Sequence, residues 1–310
     1  MALNRLRRSV QVFSFAALHS FFLPIAALQA RWACLPVLNC HACALAWTAC
    51  PIGVLVHYSG WQIFPFLVAG FFLMFGLLLG RLFCGWVCPF GTLQWLLYKI
   101  PTKKIHLPAW TSYIKYAVLG LMVIAFPFLF GELTSLSFCR ICPAAALQVV
   151  VPSWLTNGFY WGGTLMAARF LFLALVLWLA IVASRSFCKV FCPIGALLAP
   201  LNYVSFWRVG MRYDSCVNCS VCDKACPTEI RPLERAAQGI APSRHQDCIT
   251  CHDCQSACPV TKGEGKRRHQ TDDSPRRRAT NGAQAEAGCE GCSMAERSLP
   301  GEKREGESHE

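Results

Sequence analysis

The chain has 310 residues, 55% of them apolar and 15% charged, with a net charge of +12 and twenty cysteines. An apolar share this high and a charged share this low exclude a disordered chain, and twenty cysteines exceed what a soluble intracellular enzyme uses without metal. The charge excludes a basic nucleic-acid surface too, because residues 1–204 hold thirteen Lys/Arg against one acid, Glu132, while 205–261 and 262–310 are each neutral.

Excess positive charge in the most apolar part of a chain is the mark of a membrane protein obeying the positive-inside rule. Residues 1–9 read as a cytoplasmic N-terminus carrying Arg5, Arg7 and Arg8. The uncharged stretch 10–30 is long enough to span and longer than the ~7–15 apolar residues of a secretory signal. A loop follows with Cys34, Cys40, Cys43 and Cys50, then a short apolar piece at 51–60 and a second expected span at 61–80. The third expected span is 113–131, with Lys115 near its end, and the fourth is 164–184, with Arg169 near its start. Between them stand Cys139 and Cys142; after the fourth span, Pro193, Gly195 and Pro200 interrupt 190–207. Interrupted backbone is tolerated at membrane depth only where protein buries it, so 51–60 and 190–207 read as half-helices or interfacial segments. With the N-terminus inside, the inner side collects ten basic residues and the outer side only Arg31, Arg140 and Arg169. Both termini and everything beyond about residue 205 are then expected in the cytoplasm.

The second and fourth spans end alike. Arg81-Leu-Phe-Cys84-Gly-Trp-Val-Cys88-Pro89-Phe-Gly91 recurs as Arg185-Ser-Phe-Cys188-Lys-Val-Phe-Cys192-Pro193-Ile-Gly195. A weaker echo on the other side pairs Cys50-Pro51 with Cys142-Pro143. Two spans per copy keep the copies parallel, so a pseudo-two-fold axis along the membrane normal is expected. Such an axis brings Cys84, Cys88, Cys188 and Cys192 to one place at the inner face, a metal or iron–sulfur donor set. The outer set of Cys40, Cys43, Cys50, Cys139 and Cys142 suits a metal cluster, disulfides or redox-active dithiols, and its spacing does not choose among them.

Beyond the last span, Cys216-x2-Cys219-x2-Cys222-x3-Cys226-Pro227 is repeated as Cys248-x2-Cys251-x2-Cys254-x3-Cys258-Pro259. This is the bacterial two-cluster ferredoxin run, in which the fourth cysteine of each run ligates the other cluster. Cluster one is expected on Cys216, Cys219, Cys222 and Cys258, and cluster two on Cys248, Cys251, Cys254 and Cys226. Zinc does not call for two complete four-Cys runs ending in Cys-Pro. Residues 205–261 thus read as a small α+β ferredoxin domain. The tail 262–310, rich in Arg, Glu, Gly and Ser, is too polar to bury a core; its pair Cys289 and Cys292 has no evident role. His19, alone in the first span, reads as a packed core residue.

On these motifs, residues 10–260 resemble the NapH-type membrane polyferredoxins, with a membrane core similar to that of NosR and of the CcoG/RdxA proteins. The resemblance implies four membrane helices as two parallel repeats followed by the ferredoxin domain, in a bacterial or archaeal cytoplasmic membrane. It implies two [4Fe–4S] clusters with a further iron–sulfur or metal site in the membrane domain. The implied function is electron transfer, rather than stand-alone catalysis, between those clusters and quinol/quinone or a partner reductase. Redox partner subunits and an extracytoplasmic reductase or cytochrome belong to the same picture. The alternative is a redox-sensing or metal-handling assembly or regulatory factor for a respiratory enzyme. Against the resemblance, no flavin domain like that of NosR is expected ahead of residue 10, the tail is too polar for the β-sandwich of CcoG, and the outer cysteine set is denser than that of NapH.

Overall fold

The computed structural model describes residues 2–18, 34–40, 42–43, 46, 48–158, 163–210 and 216–260. Helix α1 (Ala2–Leu18) begins eight residues before the expected span at 10–30. The rest of that span, with His19, and the tail with Cys289 and Cys292 lie outside the described residues. Within α1, Arg7, Gln11 and Ser14 are buried while Leu6, Val12 and Phe13 are exposed. Spacings of four and three put the polar stripe on one helix face. A helix with its polar face inward and its apolar face outward suits lipid surroundings rather than water.

Next come α2 (Pro51–Gly60), α3 (Phe66–Leu79), α4 (Leu82–Trp86) and α5 (Pro89–Tyr98). The expected span at 61–80 is therefore shorter than its apolar run: fourteen helical residues rise only about 21 Å. Two helices are long and apolar enough to cross a membrane, α6 (Ala109–Phe130) and, further on, Gly163–Val182. Between them lie α7 (Phe138–Ile141) and α8 (Pro143–Leu155), and Gly163–Val182 is α9. Both α6 and α8 widen to a π-helix, at Val118–Ala125 and Ala146–Val150, just before Pro127 and Pro152. A proline inside a helix removes an N–H and crowds the preceding turn, and a wider turn is one way to accommodate it.

Helices α10 (Ser186–Val190) and α11 (Pro193–Leu198) close the apolar part, with a 3-10 turn at Pro200–Tyr203. The described part of the C-terminal segment carries the short helices α12 (Val221–Lys224), α13 (Pro232–Ala237) and α14 (Asp253–Ala257), with a 3-10 turn at Pro242–Arg244. No strand occurs among the described residues, whose sole β feature is an isolated bridge between Cys34 and Ala49. The expectation of an α+β ferredoxin part is corrected accordingly. Its backbone is turned rather than extended: Asn218 and Ser220 have positive φ, and so do Thr250 and His252, their counterparts in the second run. The main buried core runs from Leu38, Ile52 and Val68 through Cys88, Phe187 and Cys192 to Ile249 and Cys251, and a second, smaller one gathers Val209, Cys222 and Cys254.

Candidate metal centres

In the apolar part of the chain, the Cys-Pro steps at Cys50, Cys88, Cys142 and Cys192 each start a helix. Cys88 and Cys192 are the residues preceding α5 and α11, both with extended backbone (φ −63°, ψ 118° and φ −71°, ψ 112°). Proline at the first helical position fits because its missing N–H has no intrahelical partner there anyway. The cysteine side chain is then held beside the first free N–H groups of the helix: those of Gly91 at Cys88 and of Gly195 at Cys192. All four inner cysteines are buried. They stand close enough to feel one another's charge: Cys88 beside Cys84 and Cys188, and Cys192 beside all three.

Two arginines brace this group reciprocally. Arg81 donates to the Cys188 carbonyl at 3.2 Å, and Arg185 donates to the Cys84 carbonyl at 3.2 Å. Each guanidinium also occupies the space above the other copy's glycine, Arg81 over Gly195 and Arg185 over Gly91. Gln94, 1% exposed, donates to the Cys188 sulfur at 3.1 Å and accepts from the Phe187 N–H at 3.1 Å.

The C-terminal segment is docked on this group. Gly85, between Cys84 and Cys88, lies under the Ile249 carbonyl, and a side-chain carbon there would come within 3.5 Å of the Cys251 Cα. Trp86 donates its indole N–H to the Thr250 carbonyl at 3.1 Å. Arg81 donates to the Gln246 carbonyl at 2.6 Å, and Asn202 donates to the His245 and Cys248 carbonyls at 3.0 and 2.7 Å. Lys115 forms an ion pair with Asp247, and Arg81 lies 3.9 Å from the same carboxylate. Burial opposes charge on Asp247, yet Lys115 and Arg81 hold its carboxyl below the usual range. Arg7 of α1 adds an ion pair to Asp253 at 2.6 Å.

Within the segment, Cys216, Cys219, Cys222 and Cys258 surround one pocket, with Val217, Leu233, Ala236 and Val260 in its wall. Cys248 and Cys254 stand close to Cys226, and Cys251 stands close to Cys248. The left-handed Thr250 donates its N–H to the Cys248 sulfur at 3.4 Å. Burial pushes the Cys222 and Cys248 thiols up to about 12, so they stay protonated unless a cation displaces the proton. The third group gathers Cys40, Cys50, Cys139 and Cys142 around a pocket lined by Leu38, Asn39, Ile52 and Phe138. Cys43 is buried but not in that wall. Among the described residues no three His, Cys, Asp or Glu side chains converge on a single ion position. The thiol groups are open sets around a space, and their all-sulfur donor chemistry fits an inorganic core of several atoms.

Sequence reasoning missed Gln94, Asn202 and the Arg81–Lys115–Asp247 cluster. A polar residue amid an apolar run, as at Gln94 and Asn202, was the only available signal. In the sequence, Arg81 and Arg185 count as orientation charges, although their place inside the repeated motif sets them apart from the other basic residues.

A model described as a 4Fe-4S binding domain matches residues 60–108 and again 165–212, and a 4Fe-4S dicluster domain matches 208–259. An uncharacterized protein of Methanocaldococcus jannaschii is 33% identical over 52% of this chain and 65% of its own length. The putative electron transport protein YccM of Escherichia coli is 27% identical over 54% of this chain and 46% of its own. The regulatory protein NosR of Pseudomonas aeruginosa is 30% identical over 48% of this chain and 21% of its own. The chain thus spans less than two thirds of the length of each of these relatives. No solved structure matches it. The C-terminal segment is a ferredoxin-type dicluster module, and the chain carries two [4Fe–4S] clusters.

Proposed function

We propose that the chain is a multi-pass membrane electron carrier that passes electrons between a quinol/quinone or partner reductase and [4Fe–4S] clusters on the cytoplasmic side. The observation that carries this reading is the direct contact between the inner thiol group and the ferredoxin-type segment, Gly85 against Ile249 and Cys251. In this reading Cys216, Cys219, Cys222 and Cys258 hold one cluster, and Cys226, Cys248, Cys251 and Cys254 hold the other. Cys84, Cys88, Cys188 and Cys192 hold a further centre, related to its two halves by a pseudo-two-fold axis. Its support is the reciprocal bonding of Arg81 and Arg185 and the twice-matched domain. Such clusters accept and return single electrons without rearranging protein bonds.

The residues set position and potential. The absence of a side chain at Gly85 lets the Ile249 carbonyl approach. Gln94 and the helix-start N–H groups offset negative charge on sulfur. Arg81 and Arg185 neutralise charge that burial would otherwise make costly. Their inner-side location, with α1 docked by Arg7 onto Asp253, supports cytoplasmic termini and a cytoplasmic ferredoxin-type segment in a bacterial or archaeal membrane. An extracytoplasmic reductase or cytochrome is the matching partner class.

The test is anaerobic purification in detergent with iron and sulfide counts and low-temperature EPR. At least about eight irons per chain are expected for two [4Fe–4S] clusters, with the reduced signals reoxidised by a quinone analogue. Fewer irons, or reduced clusters inert to quinones and to reductase partners alike, overturns the reading. A second reading is favoured by the name of NosR, a regulatory protein: a redox-sensing or metal-handling factor. Loss of a respiratory enzyme's metal in Cys84→Ser, with electron flow intact, would select it.

A further inference from the structure

We propose that Cys40, Cys50, Cys139 and Cys142 hold a [4Fe–4S] cluster of their own in the apolar part of the chain. The four thiols line one pocket, and Cys139 stands in charge–charge range of the other three. Cys50 and Cys142 are placed as Cys88 and Cys192 are. Each immediately precedes a proline-started helix with extended backbone, at φ −71°, ψ 119° and φ −55°, ψ 125°. The N–H groups of Ile52 and Gly53 face the Cys50 sulfur, and those of Ala144 and Ala145 face Cys142.

Two further observations point to an occupant. Asn39 lines the pocket, is 1% exposed, and neither its amide nitrogen nor its oxygen has a hydrogen-bond partner. A buried unpaired amide is expensive, and an –NH2 facing cluster sulfur would satisfy it. Charge also balances. Four thiolates on a 2+ core leave two negative charges, and Arg140 beside Cys139 with Arg169 beside Cys40 supply two positive ones. These are two of the three basic residues that violate the inner-side bias of the sequence, and at this site they have a partner. Disulfides would need no counter-charge. A single metal ion needs convergent donors, which the described residues do not offer.

The site also adjoins the inner thiol group. Leu38 presents its N–H to the Cys88 sulfur, and its neighbour Asn39 presents its N–H to the Cys50 sulfur. Neighbouring residues are about 3.8 Å apart, so the two sulfurs lie within roughly 12 Å of each other. Clusters so placed would exchange electrons directly and would couple magnetically when reduced.

The test compares full-length wild type with the double variant Cys50→Ala/Cys142→Ala, both purified anaerobically in detergent. The expected result is loss of about four irons and the matching sulfide, with the ferredoxin EPR signals unchanged. Cys43→Ala is expected to lose no iron, and Asn39→Leu to keep iron but shift one cluster's potential. Unchanged iron in the double variant overturns the proposal, as does a native disulfide among the four found by mass spectrometry. An independent check that needs no variant is thiol alkylation of wild type. The four cysteines should become reactive only after iron is stripped, and labelling that does not change on stripping overturns the proposal. Absence of ferredoxin signals in wild type would instead defeat the carrier reading, because this site is judged by the difference between wild type and variant.

Discussion

At the scale of single residues, the inner group depends on a few polar side chains in an apolar setting. Gln94 bonds the Cys188 sulfur, the Phe187 N–H and, at 3.5 Å, the Phe90 carbonyl. An N–H donated to a cluster sulfur stabilises the more negative, reduced state. Gln94→Leu is therefore expected to lower the potential of the centre proposed on the inner thiols, measured by EPR redox titration, while the two ferredoxin potentials stay in place. The Phe187 N–H left without its partner should cost about 1–3 kcal/mol of stability. The left-handed residues of the C-terminal segment are a second case. Thr250 is β-branched, buried and at φ 46°, a conformation that costs such a residue about 1–2 kcal/mol. It is held there by the turn that brings its N–H to Cys248.

Elements show what makes the two copies interlock. At Gly195 an added carbon would lie 2.7 Å from the Arg81 guanidinium and 3.2 Å from the Cys188 carbonyl. Arg81 is 1% exposed and has nowhere to retreat. Gly195→Ala is expected to lower stability by about 1–3 kcal/mol through overpacking, read as a lower melting temperature in detergent. Gly120→Ala, with open space around it, should be neutral or gain about 0.5–1 kcal/mol from reduced backbone entropy. The sequence made this interlock only half visible. Motif copies at identical spacing point to the inner thiols meeting, and helix-starting Cys-Pro steps follow from proline chemistry. Helix lengths were less legible: an apolar run reports what lipid or core accepts, not where the backbone starts to coil, so 61–80 shortened to Phe66–Leu79. The pairing of Arg81 with Cys188 was not legible at all, since partners 107 positions apart leave no local pattern.

For the molecule as a whole, the junction between the apolar part and the C-terminal segment is a buried charge cluster. Lys115 is 0% exposed and shares Asp247 with Arg81. Removing the carboxylate in Asp247→Ala leaves the buried Lys115 ammonium uncompensated, a cost of about 3–5 kcal/mol. The expected result is faster hydrogen exchange and easier proteolysis across 216–260, with α9 unaffected. The reach of Arg81 also has a consequence for how the chain is made. Its Gln246 partner lies 165 residues downstream, which at ~5–20 residues per second takes a ribosome roughly 8–30 s to synthesise. Through that interval the nascent first half holds a cation whose partner does not yet exist, and until Cys188 and Cys192 are made, 104 residues downstream, it holds two thiols without their counterparts. For the centre proposed on these thiols, loading at Cys84 and Cys88 would then follow translation of the second copy, and a ribosome stalled between the copies would leave an open half-site.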